Sequence, residues 1–212
     1  GGEQLLRLVD DVLDLARIEA GRVAISVEPV DVDEVINEVK RTLEPMQARQ
    51  GIEIVLEPHA HVPLVAVDRM RFSQILTNFC SNALKYNRPH GSVTVAVGPG
   101  APGRVRITVT DTGYGIPNAK QSLLFQPFQR AGQETGPIEG TGIGLVITRK
   151  LAALMNAEVG FESAEGRGSS FWVDVVEHAA MRRETNRRIL VGQLVALALG
   201  IGMVSGLESL AH

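Results

Sequence analysis

Cysteine is nearly missing from this sequence: Cys80 is the only one in 212 residues. That excludes an internal disulfide framework and any cysteine-rich zinc site, and it fits a reducing compartment. Aromatics are scarce at 4%, with Trp172 the single tryptophan, so there is no aromatic platform for stacking nucleic-acid bases. Charge of neither sign dominates. The net charge is −3 and the pI about 6.0, so no nucleic-acid partner is expected and any polyanion must be held by a local site. The start, Gly1-Gly2-Glu3, has the character of neither a signal nor a transit peptide and reads as the cut end of a longer protein. No G-x-x-x-x-G-K-[ST] run occurs, which excludes a P-loop. What remains is ordinary: 44% hydrophobic and 21% charged residues describe a globular chain long enough to bury a real core.

The first twenty residues read as a helix. Apolar residues recur at Leu5, Val9, Val12 and Ala16, with more at Leu6, Leu8, Leu13, Leu15 and Ile18. That face is wider than one core contact requires, so packing against a partner helix is favoured over a plain amphipathic terminal helix. Gly21 sits where a left-handed cap would end it. Val23, Ile25 and Val27 then alternate as in a strand, and Asp31 or Asp33 caps a helix expected to run to about Gln50. Short strands follow at Ile52–Leu56 and Val65–Val67, and Asp68 opens a helix with Phe72, Ile75, Leu76, Phe79, Ala83 and Leu84 on its apolar side. Val93–Val97 and Val105–Val109 flank a Gly/Pro turn and predict a hairpin. A helix over roughly 143–155 and strands near Val159–Ser163 and Ser169–Val176 finish the pattern. Mixed elements without a strict βαβ rhythm predict an α+β two-layer sandwich, with helices on one face of a mostly antiparallel sheet.

Three glycine clusters mark the chemistry. Asp111-Thr112-Gly113-Tyr114-Gly115-Ile116 ends a strand, Gly140-Thr141-Gly142-Ile143-Gly144-Leu145 opens a helix, and Gly166-Arg167-Gly168 precedes a strand. The second has the physics of phosphate binding: close backbone approach and free amides at a helix start. It follows a long irregular stretch instead of a first strand, which argues against a dinucleotide Rossmann site. On the helix after Asp68, Asn78, Asn82 and Lys85 share a face, with Tyr86 beside them. Amides in a largely apolar helix need partners, and a metal-bound phosphate tail would supply them. Two solvent-facing or capped asparagines are the alternative.

These runs resemble the ordered motifs of bacterial sensor histidine kinases. FSQILTNFCSNALKYN (72–87) is similar to their N box and DTGYGI (111–116) to the first glycine box. FQPFQR (125–130) resembles the F box, GTGIGL (140–145) the second glycine box and GRGSSFWV (166–173) the third. The similarity covers about residues 23–177, and LLRLVDDVLDLARIEAGR (5–22) resembles the end of the second helix of the dimerisation and phosphotransfer domain. The resemblance implies the ATP-binding fold shared with gyrase-type ATPases and heat-shock chaperones. Asp111 would accept the adenine amino group, with Gly113, Gly115, Ile116 and the Ser170 hydroxyl completing the base site. Asn82 would hold Mg²⁺, supported by Asn78, and Lys85 and Tyr86 would contact phosphate or ribose. Thr141, Gly142, Ile143, Gly144 and Leu145 would wrap the phosphate tail beneath a mobile lid over 129–141. Asn78, Lys85 and Arg130 would serve the phosphoryl transfer, with Arg130 reaching the γ-phosphate.

On this reading residues 1–22 belong to the dimerisation helix, 23–178 form the catalytic domain, and 179–212 are a basic linker and apolar tail. The expected activity is transfer of the ATP γ-phosphoryl to a histidine on a dimerisation domain of the same or a partner kinase, in a cytoplasmic homodimer, with a membrane anchor an open alternative for the full-length form. A response-regulator receiver domain would be the next partner. None of the five histidines, His59, His61, His90, His178 and His212, stands in a phosphoacceptor motif. Asn78 stands where related hydrolases carry a glutamate base, and an amide cannot deprotonate water. The alternative is a nucleotide-binding module that docks a response regulator without kinase activity. Asn156-Ala157 replaces a usual glycine pair at a turn far from the motifs. The tail, with Ile189 to Leu207 free of charge, reads as a truncated or degenerate extension or a helix packed on another surface, in preference to a membrane span. Its 186–191 segment also resembles the first strand of a receiver domain.

Overall fold

The computed structural model describes residues 2–128 and 141–198. Helix α1 spans Gly2–Glu19, and Gly21 takes the left-handed conformation behind it. Leu8, Leu15 and Ile18 lie on the face packed against the body of the protein, whereas Leu5, Leu6, Val9, Val12 and Leu13 are exposed. One helix thus carries two apolar stripes, and only one of them is covered.

The strand expected over 23–27 starts later. β1 is Glu28–Val30, paired antiparallel with β3, Val65–Val67. With only three residues in β3, no ladder partner remains for Val23–Val27, and the Ser26 amide donates instead to Asp68 Oδ2 at 2.9 Å. The single helix expected from Asp31 to Gln50 is two. α2, Val32–Thr42, is capped by Asp31, whose Oδ1 accepts from the Asp33 amide at 2.8 Å. Pro45 cannot donate a backbone hydrogen bond and starts α3, Glu44–Gln50, after a break at Leu43.

β2 is Ile54–Leu56 and α4 is Arg69–Lys85. Asp68 caps α4 by accepting from the Arg71 amide at 3.1 Å. β4 (Val93–Pro99), β5 (Arg104–Asp111), β6 (Glu158–Ala164) and β7 (Gly168–Val176) complete a sheet of order β2-β4-β5-β7-β6. Its β2–β4 pair is parallel and the rest antiparallel. A single turn, α5 (Asn118–Gln121), and α6 (Gly144–Leu154) lie between β5 and β6. The turn after α6 seats Asn156 at φ +55°, a conformation asparagine tolerates well. The two-layer expectation holds: α4 packs between α2 and α6 over one face of the sheet.

The core between the layers contains Phe72, Ile75, Leu76, Phe79 and Leu84 from α4, Ile107 and Val109 from β5, and Val173 and Val175 from β7. Each such burial stabilises by about 1.5–3 kcal/mol. Phe79 and Phe171 meet at 5.6 Å between ring centres, and Phe171 stacks on Phe161 at 5.7 Å. On the opposite sheet face Arg106 grips the buried Asp174 with two bonds of 2.7 and 2.8 Å and lies 4.0 Å above the Trp172 ring. α7, His178–Ala198, follows β7. It includes residues 186–191, so that segment is helical and not a receiver-type strand. Among the described residues no helix is long and apolar enough to cross a membrane.

Candidate functional site

α4 owes its two faces to its spacing. Phe72, Ile75, Leu76 and Phe79 enter the core, which turns Asn78, Ser81, Asn82 and Lys85 toward a cleft of about 610 Å³. Tyr86, Thr141, Gly142, Gly144, Leu145 and Thr148 line the same cleft. Asn78 Nδ2 donates to Thr148 Oγ1 on α6 at 2.8 Å, while its Oδ1 accepts from Asn82 Nδ2 at 3.4 Å. The chain of amides therefore has a direction: Asn78 is consumed by structure, and Asn82 is left with its carbonyl oxygen unbonded among the described residues. Gly144 makes this approach feasible, since a Cβ there would lie 2.6 Å from Asn78 Oδ1.

The start of α6 faces this cleft without a side-chain cap. Its first amides are the free donors of a helix N-terminus, and with Lys85 on the last turn of α4 they make one end of the cleft suited to an anion. Among the described residues that line the cleft, acidity enters from one side. Asp11 of α1 reaches the cleft and accepts from Thr141 Oγ1 at 2.6 Å. α1 is further tied to α6 by Lys150 and Glu19, 3.3 Å apart.

Asp111 ends β5 on the core face of the sheet, 6% exposed. Its Oδ1 accepts from the Gly113 amide at 2.7 Å and the Ser169 amide at 3.3 Å. Oδ2 has no hydrogen-bond partner among the described residues. Burial raises this carboxyl above its ordinary range, while the Gly113 and Ser169 amides and the Arg88 charge pull it back. Gly115, at φ +67°, lies so close to the neighbouring strand end that a Cβ would sit 2.0 Å from the Ala164 carbonyl. Ile116 donates its amide to Ser163 Oγ at 2.9 Å, and Ser163 is 2.9 Å from Ser169 Oγ.

Ser170 does not reach this group. It pairs in register with Thr110 and their hydroxyls meet at 2.9 Å on the sheet face away from the helices. Ser169 is the hydroxyl beside Asp111, because the two are register partners. The correction was available from alternation: Phe171, Val173 and Val175 face the core, and so must position 169. Sequence reasoning also passed over Thr148, Ser163, Arg88 and Asp11. Their roles depend on contacts across 25 to 130 positions, with Thr141 reaching Asp11 over the largest span. Of the lid expected over 129–141, residues 129–140 with Arg130 lie outside the described residues. Among the described residues no group of three or more His, Cys, Asp or Glu could hold a metal.

Comparison with known proteins bears on the family and the fold. The family model described as histidine kinase-, DNA gyrase B-, and HSP90-like ATPase matches residues 67–179. The chain is 36% identical over 179 residues to the circadian input-output histidine kinase CikA of Synechococcus elongatus, covering 83% of this chain and 24% of that protein. It is 35% identical over 177 residues to the signal transduction histidine-protein kinase BarA of Escherichia coli K12, covering 81% and 19%. Full-length ShkA in complex with AMPPNP superposes with a TM-score of 0.73 at 33% identity, over 83% of this chain and 37% of that one. The chain thus spans a quarter or less of the length of these two curated relatives.

Proposed function

Since the chain belongs to the histidine kinase-, DNA gyrase B- and HSP90-like ATPase family, we propose that it binds ATP across the cleft and transfers the γ-phosphoryl group to a histidine Nε2. That histidine would stand on a dimerisation domain of the same or a partner kinase. The reading rests on one observation: Asn82, Lys85 and the uncapped start of α6 converge on one cleft. Beyond it, Asp111 offers a buried carboxylate with one oxygen unspent.

Asp111 Oδ2 accepts the adenine amino group, and Gly113, Gly115, Ile116 and Ser169 frame the base. The α6 amides at Gly144 and Leu145, with Thr141, Gly142 and Ile143 before them, hold the phosphate tail. Lys85 neutralises charge there, and Tyr86 flanks the ribose. Asn82 Oδ1 is a hard oxygen donor fitting Mg²⁺, and with no acidic cluster among the described residues the nucleotide phosphates would provide most other ligands. When bound, the ion neutralises the charge that develops on the phosphates. Asn78 positions Asn82 through the bond between them. In the transfer the histidine Nε2–phosphorus bond forms as the bond from phosphorus to the β,γ-bridging oxygen breaks, and ADP departs. Positioning and charge complementarity are what the protein contributes. No residue on the α4 face can deprotonate water, since Asn78 and Asn82 are amides. The exposed row Leu5, Leu6, Val9, Val12 and Leu13 supports a second copy of the helix as partner, hence a homodimer. A receiver domain of a response regulator is the proposed acceptor of the phosphoryl group thereafter, in the cytoplasm where ATP is available.

Incubation with γ-labelled ATP and Mg²⁺ tests this. The chain alone should bind nucleotide and incorporate almost no acid-labile phosphate. Adding a dimerisation domain that bears a phosphoacceptor histidine should produce labelling, weakly, because separated halves lack the effective concentration of the intact protein. Strong self-labelling on any of its five histidines would overturn the assignment of the acceptor.

A further inference from the structure

We infer that Arg88 is a positioning residue for the base end of the cleft, clamping together the two loops between which Asp111 is presented. The inference rests on the base-site reading above and adds a residue to it. Arg88 lies in the loop after α4, outside every glycine motif. Its Nη2 donates to the Gly113 carbonyl and to the Gly166 carbonyl, each at 2.6 Å. These belong to separate turns, one after β5 and one between β6 and β7.

The clamp closes a ring of backbone bonds. The peptide joining Gly113 to Tyr114 is held at both ends, its oxygen by Arg88 and its N–H by the Tyr86 carbonyl at 3.1 Å. The Gly166 amide donates to the Tyr114 carbonyl at 2.7 Å, and the Gly166 carbonyl returns to Arg88. The base of the arginine is itself fixed. Its amide donates to Asn87 Oδ1 at 3.0 Å, and Asn87 Nδ2 donates to the Ser92 carbonyl at 3.0 Å. Bonds that share peptides in this way polarise one another.

Arg88 forms no ion pair among the described residues, so its charge is not spent on a surface acid. It acts on Asp111, and among the described residues no other charged group does. The other neighbours of that carboxylate are neutral: the Gly113 amide after β5 and the Ser169 amide of β7, with the Ser163 hydroxyl of β6 behind Ser169. Arg88 opposes the burial that pushes the Asp111 carboxyl upward. Adenine's amino group needs an acceptor, so ADP affinity should fall as pH drops through the Asp111 titration. Without the arginine that fall should begin at higher pH.

The test compares the whole chain with Arg88→Gln and Arg88→Lys, using ADP calorimetry across pH and the Asp111 carboxyl ¹³C titration by NMR without nucleotide. Arg88→Gln should weaken ADP binding about tenfold, move the Asp111 midpoint upward and reduce hydrogen-exchange protection at the Tyr114 and Gly166 amides. Arg88→Lys should restore the midpoint, because it keeps the charge. An unchanged midpoint in Arg88→Gln overturns the inference, whether or not affinity falls, and so does unchanged exchange protection. If the wild-type chain fails to bind ADP, the base-site reading falls, and the nucleotide-free titration and exchange data still judge the clamp.

Discussion

Replacing Asp111 by Asn separates what this residue does for binding from what it does for folding. Oδ1 of Asp111 accepts from the Gly113 and Ser169 amides, and Oδ2 is proposed to accept from adenine. An asparagine can serve only one side. With its oxygen toward the two amides, its NH₂ meets the adenine amino group, donor against donor. Flipped, the NH₂ meets Gly113 and Ser169. Either way a charge-assisted bond is lost in a buried place, which weakens ATP binding by about 1.5–3 kcal/mol, roughly ten- to a hundredfold. GTP presents an acceptor at the same position and should bind wild type poorly.

Folding should respond in the opposite sense. Burial raises the Asp111 carboxyl in the folded state, so between its ordinary range and the raised value the native protein binds more protons than the unfolded chain. Stability therefore falls as pH rises through that window. Asp111→Asn removes this penalty, so the nucleotide-free variant should melt no lower than wild type at neutral pH and lose that part of the pH dependence. Calorimetric titration with ATP and GTP, paired with melting curves across pH, measures both effects. Equal affinity of wild type for ATP and GTP would refute the base assignment. A variant that binds weakly but also melts well below wild type at neutral pH would refute the claim that the carboxylate is carried for binding at a cost to stability.

Four further outcomes are expected. Asn82→Ala should abolish the Mg²⁺ dependence of triphosphate affinity while leaving adenosine binding intact; unchanged coupling in calorimetry would make the asparagine pair purely structural. Asp11→Asn keeps an acceptor for Thr141 and removes a negative charge from the cleft, so ATP should bind a few-fold more tightly, consistent with about 0.5–1 kcal/mol between partly solvated charges, and a loss of affinity would contradict this. Arg106→Met leaves Asp174, only 3% exposed, without its cation; allowing for the partial exposure of the arginine, denaturant unfolding should show a loss of about 2 kcal/mol, and no loss would mean the pair is inert. The Cys80 thiol, pushed up to about 12 by burial, should resist alkylation in the native protein and react at once on unfolding, so rapid labelling of the folded chain would show that α4 opens locally.

Elements governed by neighbours in the chain were legible beforehand. Asp68 before an apolar run with helical spacing marks the start of α4, and the same spacing puts Asn78, Asn82 and Lys85 on one face. The Gly/Pro turn between two alternating runs marks the β4–β5 hairpin. The expected single helix to Gln50 is instead α2 and α3, although Pro45 carries the local signal for the break. The base end was read only in part. Asp111 and the glycines about it stand out in the sequence, whereas the expected Ser170 lies one residue from Ser169, an offset that in a strand exchanges the two faces of the sheet.

The sequence alone determined the local grammar: where helices begin, which side chains share a face, and that glycines stand where backbones come close. Those depend on dihedral preference and a period of 3.6 or 2, which act over a few residues. Only the tertiary structure decided which groups meet. Asn78 finds Thr148 70 positions away, Arg88 finds Gly166 78 away, and Asp11 finds Thr141 130 away. No short-range preference encodes such pairs. They exist because burying the apolar faces of α4, α6 and the sheet in one core brings the polar faces left over to a common edge, and there the unspent oxygens of Asn82 and Asp111 are set.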